Sequence, residues 1–414
     1  MKKFLKLSSF LMVMILALFL VGTIVIKAKE PVTLNLRMGV YSPVEMIKAF
    51  EKENPNIKIN WIKMPSNSDA VHDNLVTMLS SGDNSTDIFS VDCVWPAEFA
   101  AAGWALPLDK YVSAAERKEF LAGPLRTGTY KGHIYALPLF TDGGMLYYRK
   151  DLLEAKGLKP PTTWDELIKV AQAVQTENII GFSWQGAQYE GLICNVLEYI
   201  WANGGDVLDE KGKLVFNSPN TINAIQFMAD LVNKYKITPV GVSGWHEEES
   251  LKVFLDGRAV FMRNWPYAWH EVEKSNIKGK VGVVPMPKGP MGKGGAATLG
   301  GWDLVVNKNS KYKAEAIKFI KFATGVAGQK AMIFENGVIP TRAALYSDPE
   351  VLKSYPYYKE FYNVFINAVP RPVSPMYPKI SDAMQLGVHS VLTGEKTAKD
   401  VVPNLANSLK RFLK

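Results

Sequence analysis

The stretch 261–269, which reads FMRNWPYAW, places two tryptophans, a tyrosine, an arginine and an asparagine within nine residues. Its first two residues suit a buried strand, but Arg263 and Asn264 need polar partners and Pro266 cannot donate to a sheet ladder. We therefore expect the strand to end here, with its last side chains facing a cleft. Aromatic rings beside fixed polar groups suit a sugar, because the apolar face of a pyranose lies on a ring while its hydroxyls need donors and acceptors.

Two aspartates stand where a sheet is expected to meet a cleft. Asp92 ends the apolar run DIFSVD, which is typical of a buried strand, and ligands of open α/β sheets bind outside the carboxyl ends of strands. The alternative is that Asp92 caps the helix that begins near Trp95. Asp142 lies in the break TDGG between two strand-like runs. That break is either a turn or a crossing between domains, and a crossing would place Asp142 in the cleft.

Two further segments carry features that an ordinary core does not need. In TLGGWDLVV, Gly300 and Gly301 let the backbone come close to another group, and Trp302 follows them directly. The glycines mark either a β-bulge or the approach of a ligand, and a tryptophan beside bare backbone repeats the chemistry of the opening stretch. In VPRPVSPMYP, four prolines force an extended segment from which Arg371 and Tyr377 project.

The sequence shows no signature of catalysis or metal binding. The five histidines have no H-E-x-x-H or other metal-ligand spacing, and Glu247–Glu249 fits the acidic first turn of a helix better than a catalytic or metal site. We therefore predict no metal, no cofactor and no enzymatic activity. Asp92 and Asp142 could still serve as the two carboxylates of a glycosidase, so an exported glycoside hydrolase is the rival interpretation.

The elements that position these residues follow an α/β pattern. Residues 33–38 and 57–64 alternate as strands do and flank a capped helix, which predicts a β-α-β opening with parallel strands. Residues 150–260 read as a second α/β unit, with a capping box at Thr163 and Glu166, and its last strand delivers the opening stretch. A chain of 414 residues is also too long for one typical core, so two domains are expected.

Residues 1–28 are predicted to be an export signal or a membrane tether, because a basic start precedes an apolar run at 10–26. Removing them takes away four lysines and no acids, so the formal net charge falls from +8 to +4. The remaining basic residues are dispersed and give no case for a nucleic-acid partner. Cys93 and Cys194 could pair in an oxidising compartment, but their apolar settings favour two small buried side chains.

Six segments together resemble an extracellular solute-binding protein of a carbohydrate ABC transporter, closest to the trehalose/maltose-binding type. They are DIFSVDCVWPAEFAAAGW, ALPLFTDGGMLYYRKDLL, WQGAQYEGLIC, FMRNWPYAW, AATLGGWDL and NAVPRPVSPMYP. The resemblance implies the two-lobed periplasmic binding protein fold of type II, an α/β fold with the ligand cleft between its lobes and hinge closure around the ligand.

The lobe boundaries implied by the resemblance divide the chain discontinuously. The N-terminal lobe would hold residues 29–140 and 285–312, and the C-terminal lobe residues 141–284 and 313–414. The crossings between the lobes would lie near Phe140, Val284 and Tyr312.

The resemblance also implies a partner and a set of polar contacts. The ligand would be a mono- or oligosaccharide, such as the α-glucosides trehalose or maltose, which a monomeric protein outside the cytoplasm, periplasmic or membrane-tethered, hands to ABC permease subunits. Asp92 and Asp142 would accept hydrogen bonds from sugar hydroxyls, and Arg371 would donate to hydroxyl oxygens from the second lobe.

Stacking and backbone contacts complete the implied site. Gly300 and Gly301 would present backbone groups to the sugar, and three aromatic residues would stack on its rings: Trp265, Tyr267 and Trp302.

This chain departs from the family pattern in the first lobe. Phe140 stands where a tyrosine is expected, which removes one hydroxyl contact. An expected acidic residue and an expected arginine have no counterpart, although Tyr41 and His72 lie near those positions. We expect the departures to affect one end of the bound sugar.

Overall fold

The computed structural model describes residues 31–209, 211 and 213–413, apart from the side chains of residues 360 and 361. The predicted export signal at 1–28 lies outside the described residues. The strands are Val32–Met38 (β1), Ile57–Lys63 (β2), Ile88–Asp92 (β3), Thr129–Tyr130 (β4), His133–Ile134 (β5), Leu137–Gly143 (β6), Met145–Arg149 (β7), Ile180–Ser183 (β8), Ala259–Asn264 (β9), Val281–Pro285 (β10), Thr298–Val306 (β11) and Val369–Pro370 (β12).

The helices of the described residues vary in length from a single turn to 16 residues. They are Val44–Glu53 (α1), Ser68–Ser80 (α2), Pro96–Ala101 (α3), Ala114–Lys118 (α4), Ala122–Thr127 (α5), Lys150–Glu154 (α6), Trp164–Val174 (α7), Glu190–Ala202 (α8), Pro219–Asn233 (α9), Glu247–Leu255 (α10), Ala268–Glu273 (α11), Lys313–Ala323 (α12), Val326–Asn336 (α13), Pro349–Ser354 (α14), Tyr357–Ile366 (α15), Tyr377–Leu392 (α16) and Ala398–Phe412 (α17). None of the helices in the described part of the chain is long and apolar enough to cross a membrane.

The first lobe is built on a sheet with the strand order β12-β11-β3-β1-β2, and β6 also pairs with β11. Strand β1 is parallel to both β2 and β3, which confirms the predicted β-α-β opening. Alternation along β1 buries Leu34, Leu36 and Met38 in the core of this lobe. The carboxyl end of β3 carries Asp92, so the sheet itself brings this side chain to the edge of the lobe.

The second lobe is built on a sheet with the order β10-β7-β9-β8. Strands β8 and β9 are parallel, and β7 is antiparallel to both of its neighbours. The helix α7 begins at the predicted capping box of Thr163 and Glu166. Strand β9 is buried along its whole length and ends at Asn264, where the prediction placed the end of this strand.

The chain first passes between the lobes at Gly144. Strand β6 belongs to the first sheet and β7 to the second, so the break TDGG is a crossing rather than a simple turn. A side chain at Gly144 would overlap the carboxylate of Glu198 and the guanidinium of Arg263, so the crossing requires glycine. The chain returns to the first lobe between β10 and β11, which is just after the predicted crossing at Val284.

The predicted third crossing near Tyr312 is wrong. The helices α12 and α13 follow Tyr312 but pack in the first lobe, where Phe319 of α12 meets Phe50 with ring centroids 5.0 Å apart. The chain leaves this lobe after α13, and β12 pairs once more with β11 before α16 and α17 enter the second core. The helix α12 buries an apolar face, but helical periodicity does not indicate which sheet such a face will cover.

Candidate ligand-binding site

A cavity of about 400 Å³ lies between the two lobes, within the usual size range of small-molecule sites. The first lobe contributes the ends of β3 and β6 and the middle of β11, and the second lobe contributes the segment that follows β9. Most residues singled out in the sequence line this cavity, and they are Tyr41, Asp92, Asp142, Trp265, Tyr267, Gly300, Gly301, Trp302 and Arg371.

Aromatic side chains from both lobes form the apolar part of the lining. Trp302 lies in β11 and packs edge-on against Trp95, with ring centroids 5.4 Å apart. Trp265 and Tyr267 follow β9 in the other lobe and are half-buried. An added Cβ at Gly300 would lie 3.1 Å from the Trp265 ring, so the glycine leaves room for this indole. The predicted placement of these rings across one cleft therefore agrees with the geometry.

Gly301 has a different role from its neighbour. Its φ of 120° disfavours any other residue, and a Cβ there would overlap the backbone of Phe140. The pairing of β11 with β6 also shifts register between Trp302 and Asp303. This irregularity follows the glycine pair and skips Leu139 of β6, so neither glycine is the bulged residue, and both glycines line the cavity.

Arg263 and Asn264, which we expected to face the cleft, are fully buried instead. Arg263 forms an ion pair with Glu198 at 2.5 Å and donates to Gln185 Oε1 at 3.1 Å. Its guanidinium carbon lies 4.0 Å from the centroid of the Trp265 ring. The expectation was wrong because residues of the second lobe supply the missing partners. Arg263 consequently supports the indole through a cation–π contact.

Arg371 joins carboxylates of both lobes. Its Nη2 donates to Asp92 Oδ1 at 2.8 Å, and its Nη1 donates to Glu190 Oε1 at 2.5 Å. Asp92 ends β3 in the first lobe, whereas Glu190 begins α8 in the second. The residue before Arg371 ends β12, which pairs with the first sheet, so the expectation that Arg371 comes from the second lobe is wrong. The N-cap position of α3 is Trp95, so Asp92 does not occupy it.

Asp142 lines the cavity and carries a carboxyl oxygen without a partner. Its Oδ1 is buried and has no hydrogen-bond partner within the described residues. Burial raises the pKa of Asp142 well above its usual value; Arg263 opposes this rise, while Asp92 and Glu247 add to it. A buried carboxyl oxygen without a partner is costly, and a ligand hydroxyl would supply the missing donor.

Two of the predicted residues do not line the cavity. His72 accepts or donates a hydrogen bond at 2.7 Å to Glu98, and its ring lies 5.2 Å from that of Trp95. Phe140 is buried and contacts Tyr41 edge-on, with ring centroids 5.0 Å apart. These side chains therefore stand behind the lining, where Phe140 holds Tyr41 in position.

Comparison with known proteins agrees with this geometry. The profile of the family described as bacterial extracellular solute-binding protein matches residues 40–330, which is more than half of the chain. The chain belongs to this family. A probable ABC transporter-binding protein of Deinococcus radiodurans is 37% identical over 367 residues, which are 86% of each chain. The predicted resemblance to a solute-binding protein of a carbohydrate ABC transporter is confirmed.

Solved structures show the same architecture. The maltose-bound MalE3 of T. maritima is 46% identical, with a TM-score of 0.87 over 92% of this chain and 99% of that one. A solute-binding protein of Thermotoga lettingae bound to α-D-tagatose is 28% identical, with a TM-score of 0.83 over 92% and 100% of the two chains. The predicted two-lobed type II periplasmic binding protein fold is therefore confirmed.

The cavity of this solute-binding protein holds more polar groups than the sequence assigned. The segment WQGAQYEGLIC was among those that carried the resemblance, yet none of its residues was given a role in binding, and four of them line the cavity. The other unassigned lining residues come from three further parts of the chain. Together with the four residues of that segment, they are Val40, Ser66, Asn67, Ser68, Tyr189, Glu190, Gly191, Cys194, His246, Glu247, Glu248 and Glu249.

The first-turn interpretation of Glu247–Glu249 is confirmed, because α10 begins at Glu247. The same three glutamates also line the cavity of the solute-binding protein, which that interpretation did not anticipate. Glu247 Oε2 accepts a hydrogen bond from the Tyr189 hydroxyl at 2.6 Å, and its Oε1 accepts one from the indole N–H of Trp265 at 3.2 Å. Glu247 thus fixes the orientation of two aromatic side chains in the site.

The cysteines of this solute-binding protein are both free and buried. Burial raises the pKa of the Cys93 and Cys194 thiols, and in each case the Arg371 guanidinium opposes the rise. Within the described residues, no group of three or more His, Cys, Asp and Glu side chains is arranged to hold a metal ion.

Proposed function

We propose that this solute-binding protein captures a neutral sugar outside the cytoplasm and delivers it, as a monomer, to the membrane permease of an ABC transporter by closing its lobes. An α-linked glucoside, such as maltose or trehalose, is the first choice. The observation that carries the proposal is the cavity between the lobes, which combines the half-buried rings of Trp265 and Tyr267 with the unpaired carboxyl oxygen of Asp142.

The energetics of the lining suit such a ligand. Sugar hydroxyls donating to Asp142 and to the other carboxylates of the cavity would form hydrogen bonds that contribute about 1.5–3 kcal/mol each. Stacking on Trp265 or Trp302 adds the burial of an apolar sugar face. A few such contacts are enough for a micromolar Kd, which corresponds to about −8 kcal/mol, once the cost of association is subtracted.

The choice of an α-glucoside rests on similarity. The T. maritima structure at 46% identity contains maltose, which favours an α-glucoside for this chain as well. The Thermotoga lettingae structure at 28% identity contains a ketohexose, so the same fold accommodates other sugars. A panel of maltose, trehalose, glucose and tagatose therefore separates the alternatives.

Tryptophan fluorescence provides the test, since Trp265 and Trp302 line the cavity. Titration with the panel is expected to give a saturable signal with at least one sugar, and native mass spectrometry of freshly purified protein is expected to show the mass of a retained sugar. Trp265→Leu should abolish most of the affinity. Trp201→Leu is the matched control, because Trp201 is a half-buried tryptophan of the same lobe outside the cavity. No response to any sugar at millimolar concentration would contradict the proposal.

One observation favours the rival, an exported glycoside hydrolase. The two carboxyl groups of Asp92 and Asp142 differ in environment, since Asp92 is paired with Arg371 while burial raises the pKa of Asp142. Two carboxyl groups in different environments within one cavity are what retaining and inverting glycosidases use. Incubation with a chromogenic α-glucoside distinguishes the two functions: turnover that disappears in Asp142→Asn supports the hydrolase, and binding without turnover supports the solute-binding protein.

A further inference from the structure

The charged groups of the cavity are strongly unbalanced. Its lining contains six carboxylates against a single guanidinium, and within the described residues no lysine lines it. The carboxylates belong to Asp92, Asp142, Glu190, Glu247, Glu248 and Glu249. An uncharged sugar needs hydrogen-bond donors and acceptors in the site but no excess of acidic groups. Binding of such a sugar therefore does not by itself explain this excess.

The one guanidinium is already neutralised. Arg371 donates to carboxylates of Asp92 and Glu190 at 2.8 and 2.5 Å, and it also contacts Cys93 Sγ at 3.3 Å. It is 3% exposed and lies between these two carboxyl groups. The nearest other cation, Arg263, is fully buried in its ion pair with Glu198 and does not line the cavity. Within the described residues, the lining thus contains no lysine or arginine that lacks a carboxylate partner.

Within the described residues, the carboxyl groups of α10 have no lysine or arginine partner. Glu247 accepts hydrogen bonds from two neutral donors, the Tyr189 hydroxyl and the Trp265 indole. All three glutamates stand in the first turn of a helix, where the positive end of the dipole stabilises an anion. The imidazole nearest to them is that of His246, at 3.7 Å from Glu249.

Asp142 adds a buried carboxyl group to the cavity from the first lobe, independently of α10. The residue lines the cavity and is 7% exposed, and its buried Oδ1 has no hydrogen-bond partner among the described residues. The carboxyl groups of the cavity accept hydrogen bonds from a hydroxyl or an ammonium on the ligand, whereas a ligand carboxylate or phosphate adds only further acceptors.

We infer that the site is selective by charge: it accepts neutral and amine-bearing sugars and rejects sugars that carry a carboxylate or phosphate. The inference rests on the proposed function, because it assumes that the ligand is a sugar bound in this cavity. The residues that determine it are Asp142 and Glu247–Glu249, which hold unpaired or neutrally paired carboxyl groups. Like charges brought together in a closed, water-poor cleft cost far more than they do on an open surface.

The test uses five ligands of similar size and shape. They are maltose and four analogues in which the C6 group of one ring, CH2OH, is replaced by CH2NH3+ or by carboxylate. Each substitution is made on either ring, so that both ends of the cavity are examined. The affinity of the protein for each ligand is measured by isothermal titration calorimetry. The affinity for the amine analogue is expected to lie within a few-fold of that for maltose. The affinity for the carboxylate analogue is expected to be at least about tenfold weaker than that for the amine, whichever ring carries the substitution.

Variants show whether the local carboxylates are responsible. Glu248→Gln should narrow the amine-to-carboxylate affinity ratio by about threefold or more. Glu154→Gln removes the same charge from an exposed position of the same lobe and should leave the ratio unchanged. The inference is overturned if the carboxylate analogue binds as tightly as maltose at either end, or if Glu154→Gln shifts the ratio as much as Glu248→Gln. Absence of binding by maltose itself would instead overturn the proposed function.

Discussion

The neighbouring glycines of β11 offer a direct test of how the strand serves the site, because the same substitution should have two different effects. In Gly300→Ala the new Cβ would lie 3.1 Å from the Trp265 ring and 3.2 Å from Asp142 Cβ, which are tight but adjustable contacts with side-chain atoms. The indole must move by a few tenths of an ångström. Overpacking of this kind costs about 1–2 kcal/mol, and if the cost falls on the ligand-bound geometry, affinity drops about 5- to 30-fold.

Gly301→Ala should act on stability instead. The backbone at Gly301 has φ 120°, which strains an alanine by about 1–3 kcal/mol. Its Cβ would also overlap the carbonyl of Phe140, and backbone of a paired strand cannot move aside as a side chain can. Together these terms predict a loss of roughly 2–5 kcal/mol and a fall in Tm of about 5 °C or more.

Two measurements on both variants separate the effects. Thermal unfolding followed by circular dichroism should give Gly300→Ala a Tm close to that of the unmodified protein and Gly301→Ala a clearly lower Tm. Fluorescence titration with the bound sugar should show the weaker affinity in Gly300→Ala. The reasoning is refuted if Gly301→Ala has the same Tm as the unmodified protein, or if Gly300→Ala has a lower Tm while its affinity for the sugar is unchanged.

Three other predictions follow from the buried polar groups. The raised pKa of Asp142 means that the folded protein loses stability as pH rises above the ordinary value of 3.8, so the Tm of Asp142→Asn relative to that of the unmodified protein should increase as the pH is raised from about 4; a difference in Tm that does not change with pH would contradict this. Glu198→Gln leaves the Arg263 guanidinium buried without its counter-ion and should cost about 3–5 kcal/mol in urea unfolding, and a loss below about 1 kcal/mol would show that the pair is not needed. Cys93 and Cys194 should react with a thiol reagent only after denaturation, since both are buried and burial raises the pKa of each thiol; an intact mass two hydrogens lower than that of the dithiol would reveal a disulfide instead.

Local patterns predicted the parts of the fold that depend on local physics. Alternation in TLNLRM gave the buried face of β1, and the capping box at Thr163 and Glu166 gave the start of α7. The proline in FMRNWPYAW marked the end of β9 correctly. These features depend on residues that are close together in the sequence, so the local sequence is sufficient to predict them.

Features that depend on distant partners were predicted less well. Arg263 was expected in the cleft because its partner Glu198 is 65 residues away and nothing local announces it. The helix α12 was assigned to the wrong lobe because its apolar face fits either sheet. Glu190 was not assigned although it lies in a segment that carried the resemblance, and only the structure shows that it shares Arg371 with Asp92.

The glutamates of α10 show why a structural role and a functional role need not compete. Their position in the first turn is sufficient to explain three successive acids, since the helix dipole stabilises each of them. The fold, however, aims this helix start at the cavity, so the charges that stabilise the helix also set the electrostatic potential felt by a ligand. A structural explanation of a charged segment therefore does not exclude a role in binding. The two roles are separable by experiment: Glu248→Gln should change the discrimination between charged sugars far more than it changes the Tm, because a single first-turn charge contributes only about 0.3–1 kcal/mol to stability.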